Sequence, residues 1–169
     1  MHWEAVIEFP KMKVAVATRD VNGNPCVVAI GYLPLSVASK DPENELAERA
    51  VRQIERYRDD PDTKFDLPLL IEGTEFQRRV WDAMCAIPRG RTLTYGELAR
   101  KIEGDGFDVP RAVGQACGDN KLPIVIPCHR VVAASGIGGF AHSTSGFKLE
   151  AKRWLLMHEA GADAFQLRP

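Results

Sequence analysis

The residues with the clearest chemical potential are Pro127-Cys128-His129-Arg130, a thiol beside an imidazole. They follow Leu122-Pro123-Ile124-Val125-Ile126, an apolar run that reads as a short buried strand. A strand that ends in a proline could hold a nucleophile rigidly. The thiolate is the reactive form of cysteine, and a nearby base or cation lowers its pKa from about 8.5. A cysteine next to a histidine is still more often a small buried apolar residue than a nucleophile. The pair alone therefore does not decide. Cys26, Cys85 and Cys117 form no CxxC pair with each other or with Cys128, and no Cys/His spacing suits zinc. His2, His129, His142 and His158 are equally scattered, so neither a metal nor another cofactor is expected. Four unpaired thiols suit a reducing compartment, and the cytoplasm is the expected location, at the nucleoid if the source is prokaryotic.

The elements that must position this thiol begin in an ordinary chain of 169 residues, 45% hydrophobic and 27% charged. That length allows one domain or two small ones. No stretch approaches the roughly 20 apolar residues that would cross a bilayer, and Glu4 stands where a signal peptide would be basic. Glu4–Phe9, Lys13–Thr18 and Cys26–Ile30 read as strands, the last two joined at Asn22-Gly23-Asn24 as a hairpin. Leu46, Ala47, Ala50, Val51, Ile54 and Tyr57 recur at helical spacing, with acids before them and arginines after. The charged stretch from Asp59 to Asp66 reads as a linker. The expected organisation is an α/β domain over residues 1–66, a connector over 67–72 and a mainly α domain over 73–169.

The second domain opens with Thr74-Glu75-Phe76-Gln77, which has the form of a capping box, and Thr94-Tyr95-Gly96-Glu97 repeats that form. Pro110 suits the first turn of a further helix that Gly118 would stop, and the two helices around the intervening loop fit a helix-turn-helix. Charge divides with the domains. Residues 1–72 carry 9 basic and 13 acidic side chains (net −4), and residues 73–169 carry 13 and 10 (net +3). A polyanionic partner would meet the second half.

Read in order, Gly73-Thr74-Glu75-Phe76-Gln77, Val80-Trp81, Ile87-Pro88-Arg89-Gly90, Thr94-Tyr95-Gly96, Arg111-Ala112-Val113-Gly114, Asn120, Ile126–Val132 and Leu155–Glu159 closely resemble the O6-alkylguanine-DNA alkyltransferases, the methylated-DNA–protein-cysteine methyltransferases. The match covers about residues 73–160. The first third matches only in general character, which in the family is a small α/β domain with an RNase H-like arrangement. The resemblance implies irreversible, single-turnover transfer of the alkyl group from O6-alkylguanine in double-stranded DNA, or from O4-alkylthymine, to Cys128. It also implies a monomer that needs no cofactor and no membrane.

The same resemblance assigns roles. His129 would act on Cys128 through a water, with Glu159 orienting the imidazole, and Asn120 would brace the active-site turn. Tyr95 would crowd the nucleotide's phosphate and protonate guanine N3. Arg111 would enter the base stack in place of the flipped nucleotide, with Ala112 and Gln115 also on the DNA side. Val131 would offer its carbonyl to the guanine amine, and Ser143, Thr144 or Ser145 would contact the base, Ser143 being the first choice. Lys121, where relatives often carry proline, Phe140, often tyrosine, and the longer stretch His142–Ser145 depart from the pattern. Two other readings stay open: a lesion binder without chemistry, against which Cys128 argues, and a DNA-binding regulator. Small residues around Arg111 and Gln115 suit close approach to a minor groove better than base reading in the major groove.

Overall fold

In a computed structural model, which describes residues 1–103, 109–138 and 146–161, the N-terminal strand pattern becomes β1 (Ala5–Glu8), β2 (Lys13–Val21) and β3 (Asn24–Leu33). The three form an antiparallel sheet in the order β1-β2-β3. Asn22 and Gly23 both take positive φ, 53° and 84°, the conformation a two-residue hairpin turn needs and these residue types tolerate. Helix α1 (Glu45–Asp59) packs against all three strands. Each of its six expected apolar residues is buried, and burying a side chain the size of Ile54 stabilises by about 1.5–3 kcal/mol. Asn44 caps it: its Oδ1 accepts from the Ala47 amide at 2.8 Å, while its Nδ2 donates to Thr18 Oγ1 at 2.9 Å. One side chain thus both starts the helix and ties it to β2.

The stretch 59–72 is less loose than its composition suggests. Gln53 exchanges two hydrogen bonds with the Asp66 backbone, at 2.8 and 3.0 Å. Residues 67–72, read from the sequence as a connector, run beside β3, where the Val27 amide donates to Pro68 and the Leu70 amide to Val27. The first compact unit ends at Glu72 and the second begins at Gly73.

The second unit contains α2 (Glu75–Cys85), β4 (Leu93–Thr94), α3 (Tyr95–Glu103), α4 (Val109–Gly118), a 3₁₀ turn (Cys128–Arg130), β5 (Val131–Val132) and α5 (Phe147–Ala160). Both capping boxes form. Thr74 and Gln77 exchange bonds of 3.0 and 3.1 Å, and Thr94 and Glu97 bonds of 2.9 and 3.1 Å. Trp81 on α2 donates from Nε1 to the Ala116 carbonyl of α4 at 2.8 Å, and its ring lies so close to Gly73 that an added Cβ would sit 2.6 Å from it.

The strand expected over 122–126 does not form. The segment is a series of turns in which the Ile126 amide donates to Leu122 and Ile124 takes a φ of +74°. Pro123 has no amide to give a ladder, and the Asn120 side chain offers local bonds instead. Leu122, Ile124 and Ile126 are buried as expected and Val125 is half-buried, but in a coiled turn. Conversely, a short parallel pair that the sequence did not announce joins β4 to β5, with Leu93 opposite Val131 and Thr94 opposite Val132. It sets the start of α3 beside the residues that follow Cys128.

Candidate functional site

Cys128 opens the 3₁₀ turn, its amide bonded to the Ile126 carbonyl at 2.8 Å. The turn is held from α5 by an ionic cluster. His129 Nε2 lies 2.7 Å from Glu159 Oε2, and Arg130 donates from Nε to Glu159 Oε1 at 2.8 Å and from a terminal nitrogen to Oε2 at 3.2 Å. Arg130 also reaches the Ile87 carbonyl at 2.6 Å. Cys128, His129 and Glu159 expose 6%, 0% and 1% of their surface, so these interactions act with little solvent screening.

Electrostatics follow from that burial. Desolvation alone would raise the Glu159 pKa, but His129 and Arg130 outweigh it and hold the carboxyl well below the usual range. Burial lowers the His129 pKa, with Glu159 opposing. At neutral pH the pair is therefore a carboxylate and a neutral imidazole. A carboxylate only accepts, so Nε2 carries the proton and donates to Glu159. The lone pair is then on Nδ1, which is buried and has no hydrogen-bond partner among the described residues. An imidazole held in that tautomer is a ready proton acceptor.

The thiol itself departs from the sequence expectation that a neighbouring base would lower its pKa. Burial pushes Cys128 up to about 11, against lowering by the Asn120 side chain and the charge of Lys152. Desolvation of the anion wins over every local attraction. At neutral pH Cys128 is therefore a neutral thiol. Cys117 on α4 is also buried and raised to about 12.

Asn120 braces the turn from both sides: its Nδ2 donates to the Ile126 carbonyl at 2.9 Å, and its Oδ1 accepts from the Leu122 amide at 2.9 Å. Lys121 is exposed beside it. Tyr95, half-buried at the start of α3, has its hydroxyl pushed up to about 12 by burial and by Cys117 and Cys128. The Val131 carbonyl accepts from Lys152 Nζ at 2.8 Å. A carbonyl has two lone pairs, so a second donor can still be received.

The structure thus draws Cys128, His129, Glu159, Asn120, Tyr95 and Val131 around one turn. Arg111, Ala112 and Gln115 lie elsewhere, on α4, with Arg111 and Gln115 exposed one turn apart and Val113, Ala116 and Cys117 buried. None of the three enters the hydrogen bonds of the Cys128 cluster. Ser143, Thr144, Ser145, His142 and Phe140 lie outside the described residues. Among the described residues no three His, Cys, Asp or Glu side chains are grouped to hold a metal, and no helix is long and apolar enough to cross a membrane.

Two residues of the site were not singled out from the sequence, Arg130 and Lys152. Arg130 sits in the motif itself. Lys152 had a detectable signal: on α5 it shares the stripe of Leu155, Leu156 and Glu159, all buried, and a lysine on a buried stripe is unusual.

The model of the 6-O-methylguanine DNA methyltransferase DNA-binding domain matches residues 75–161. The chain is 44% identical over 125 residues to the regulatory protein ada of Salmonella typhimurium, covering 73% of this chain and 33% of that one. Over 87 residues it is 51% identical to the methylated-DNA–protein-cysteine methyltransferase of Mycolicibacterium paratuberculosis, 52% of each chain. The solved structure of Mycobacterium tuberculosis OGT in complex with DNA aligns with a TM-score of 0.71 and 34% identity, covering 92% of this chain and 91% of that one. The chain thus spans from a third to about half the length of these two curated relatives.

Proposed function

Because the chain belongs to the 6-O-methylguanine DNA methyltransferase family, we propose that it reverses DNA alkylation directly, moving the alkyl group of an O6-alkylguanine onto its own Cys128. One observation carries this reading. A buried thiol is followed in the chain by a buried neutral imidazole whose Nε2 is committed to Glu159 and whose Nδ1 lacks a partner among the described residues. That is the arrangement of a nucleophile and its base.

As Sγ attacks the alkyl carbon, its proton passes through a water to His129 Nδ1, and Glu159 stabilises the imidazolium. The carbon–O6 bond breaks while the carbon–sulfur bond forms, and its electrons remain on the guanine. The Tyr95 hydroxyl gives guanine N3 a proton and regains one from solvent or from His129. With its pKa raised to about 12, the hydroxyl keeps its proton at neutral pH, so a proton is there to give. The product is a thioether, which has no easy leaving path, so each molecule reacts once.

O6 of a stacked guanine lies inside the duplex, so the nucleotide must be turned out, at a cost of a few kcal/mol. In this reading α3 and α4 act as a helix-turn-helix, Arg111 fills the gap left in the stack, and Ala112 and Gln115 sit against the minor groove. Val131 and a residue of the 143–145 stretch, Ser143 first, contact the base. The sheet β1-β2-β3 with α1 corresponds to the family's RNase H-like domain. Crystallisation of the Mycobacterium tuberculosis OGT with DNA supports a DNA partner.

Intact mass after incubation with a duplex containing O6-methylguanine tests the proposal. One methyl per protein, mapped to the Cys128 peptide and absent from Cys128→Ala, is expected. Repeated turnover, or methyl on Cys26, Cys85 or Cys117, would refute it.

A further inference from the structure

Arg130 has no part in the steps above, yet only 14% of its side chain is exposed and its guanidinium is directed behind the nucleophile. It forks onto the Glu159 carboxylate, from Nε to Oε1 at 2.8 Å and from a terminal nitrogen to Oε2 at 3.2 Å. Its other terminal nitrogen donates to the Ile87 carbonyl at 2.6 Å, which fixes the plane of the fork. Oε2 is also the oxygen that receives His129 Nε2, at 2.7 Å. One carboxylate oxygen thus serves two donors, one on Arg130 and one on the imidazole. The backbone is held at the same point, since Arg89 donates to the Glu159 carbonyl at 2.9 Å.

Burial makes this sharing consequential, because Glu159 exposes 1% of its surface and His129 none. A buried carboxylate needs positive charge beside it. Two of its hydrogen-bonded neighbours can supply that charge: Arg130, which is always ionised, and His129, which is ionised only after it takes a proton. On the basis of the transfer reading, we propose that Arg130 is a positioning residue: by pairing with both oxygens of Glu159 it compensates the carboxylate, so that His129 stays a neutral base until Cys128 gives up its proton. An imidazole already protonated from solvent could accept nothing from the thiol. The charges around His129 act in that sense. Burial lowers its pKa most, Glu159 opposes, and Arg130 and Lys152 lower it further. The other titratable groups at the turn are the Cys128 thiol and, from α2, Cys85, which feels the charges of Asp82 and Arg130. Taking Arg130 away withdraws one lowering influence and leaves the Glu159 charge for the imidazole to balance. His129 should then protonate at higher pH.

The test is titration of the His129 ring by proton–carbon NMR from pH 5 to 9, its signal assigned by its loss in His129→Gln. Wild type is compared with Arg130→Met, with Arg130→Gln, which keeps donors for the carboxylate without the charge, and with Arg130→Lys. Circular dichroism and melting establish that each variant is folded. No guanine or DNA is involved, so failure of the alkyltransferase reading would leave this measurement intact. In wild type His129 should stay neutral to lower pH than an ordinary histidine. In Arg130→Met and Arg130→Gln its midpoint should rise by about one pH unit or more. Arg130→Lys, which restores the charge but not the fork, should return most of the shift. Arg89→Ala, which removes the donor to the Glu159 backbone carbonyl, should titrate like wild type. A wild-type midpoint in either folded neutral variant would overturn the proposal, as would a wild-type His129 already charged at neutral pH. An equal rise in Arg89→Ala would assign the effect to the helix end and reject the pairing. Loss of fold in both neutral variants would leave Arg130 a structural clamp and reject it too.

Discussion

At the scale of single residues, the reactive centre is governed by a contest between burial and local charge. Burial raises Cys128 and lowers His129, which leaves a neutral thiol beside a neutral base rather than an ion pair. The sign of the pH dependence follows. In wild type, His129 is available as a base at neutral pH because its pKa lies below the ordinary histidine value, so transfer from free O6-benzylguanine should be near its maximum there. In His129→Ala the thiol must ionise unaided, and its pKa of about 11 places that ionisation far into the alkaline range. Loss of a positioned base costs about 10²–10⁴ in rate. The variant should be slowed by that order at pH 7.5 and should accelerate steadily toward pH 10. Equal rates at pH 7.5 would show that the imidazole takes no proton from Cys128.

At the scale of elements, two helices divide the labour. α5 carries the buried charges Lys152 and Glu159, of which Glu159 serves the chemistry in the proposed transfer, while α4 buries Val113, Ala116 and Cys117 and presents Arg111 and Gln115 outward. This separation predicts a separation of phenotypes. Arg111→Ala should slow repair of a duplex substrate at least tenfold and leave the reaction with free O6-benzylguanine nearly unchanged, since a free base needs no unstacking. Single-turnover rates on both substrates check it. Equal losses on the two would remove Arg111 from the flipping step and return it to the role of a helix-surface charge.

At the scale of the whole molecule, charge is divided between the two compact units. The first compact unit ends at Glu72, and the residues from Gly73 onward carry the positive excess. Affinity for duplex DNA should therefore fall linearly on a log–log plot against salt, with a slope of about −0.9 for each phosphate neutralised. Reaction with the free base should not respond to salt, since it releases no counterions. Binding isotherms from 50 to 300 mM salt, alongside free-base rates, separate the two. Duplex binding unaffected by salt would exclude phosphate contacts as the source of affinity.

How much of this was legible in the sequence differs by kind of interaction. Patterns with a local cause came through. The six apolar residues of α1, the Asn22-Gly23 hairpin and the two reciprocal caps at Thr74/Gln77 and Thr94/Glu97 depend only on residues a few positions apart. The motif around Cys128 was legible too, because its residue types are contiguous. What the tertiary structure decided involves partners distant in the chain. The 122–126 run looked like a strand because its residues are apolar and bulky; only Asn120 bonding across the segment and the lack of a partner ladder made it a turn with Ile124 at positive φ. The β4–β5 pair joins residues 38 positions apart, and nothing in two such short segments announces pairing. The direction of the Cys128 pKa likewise required knowing how completely the fold removes water from it. Lys152 makes the point most sharply: its place on a buried stripe can be read from helical period, but the carbonyls of Val131 and Ile137 and the ring of Tyr95 meet it only once α3, β5 and α5 have packed.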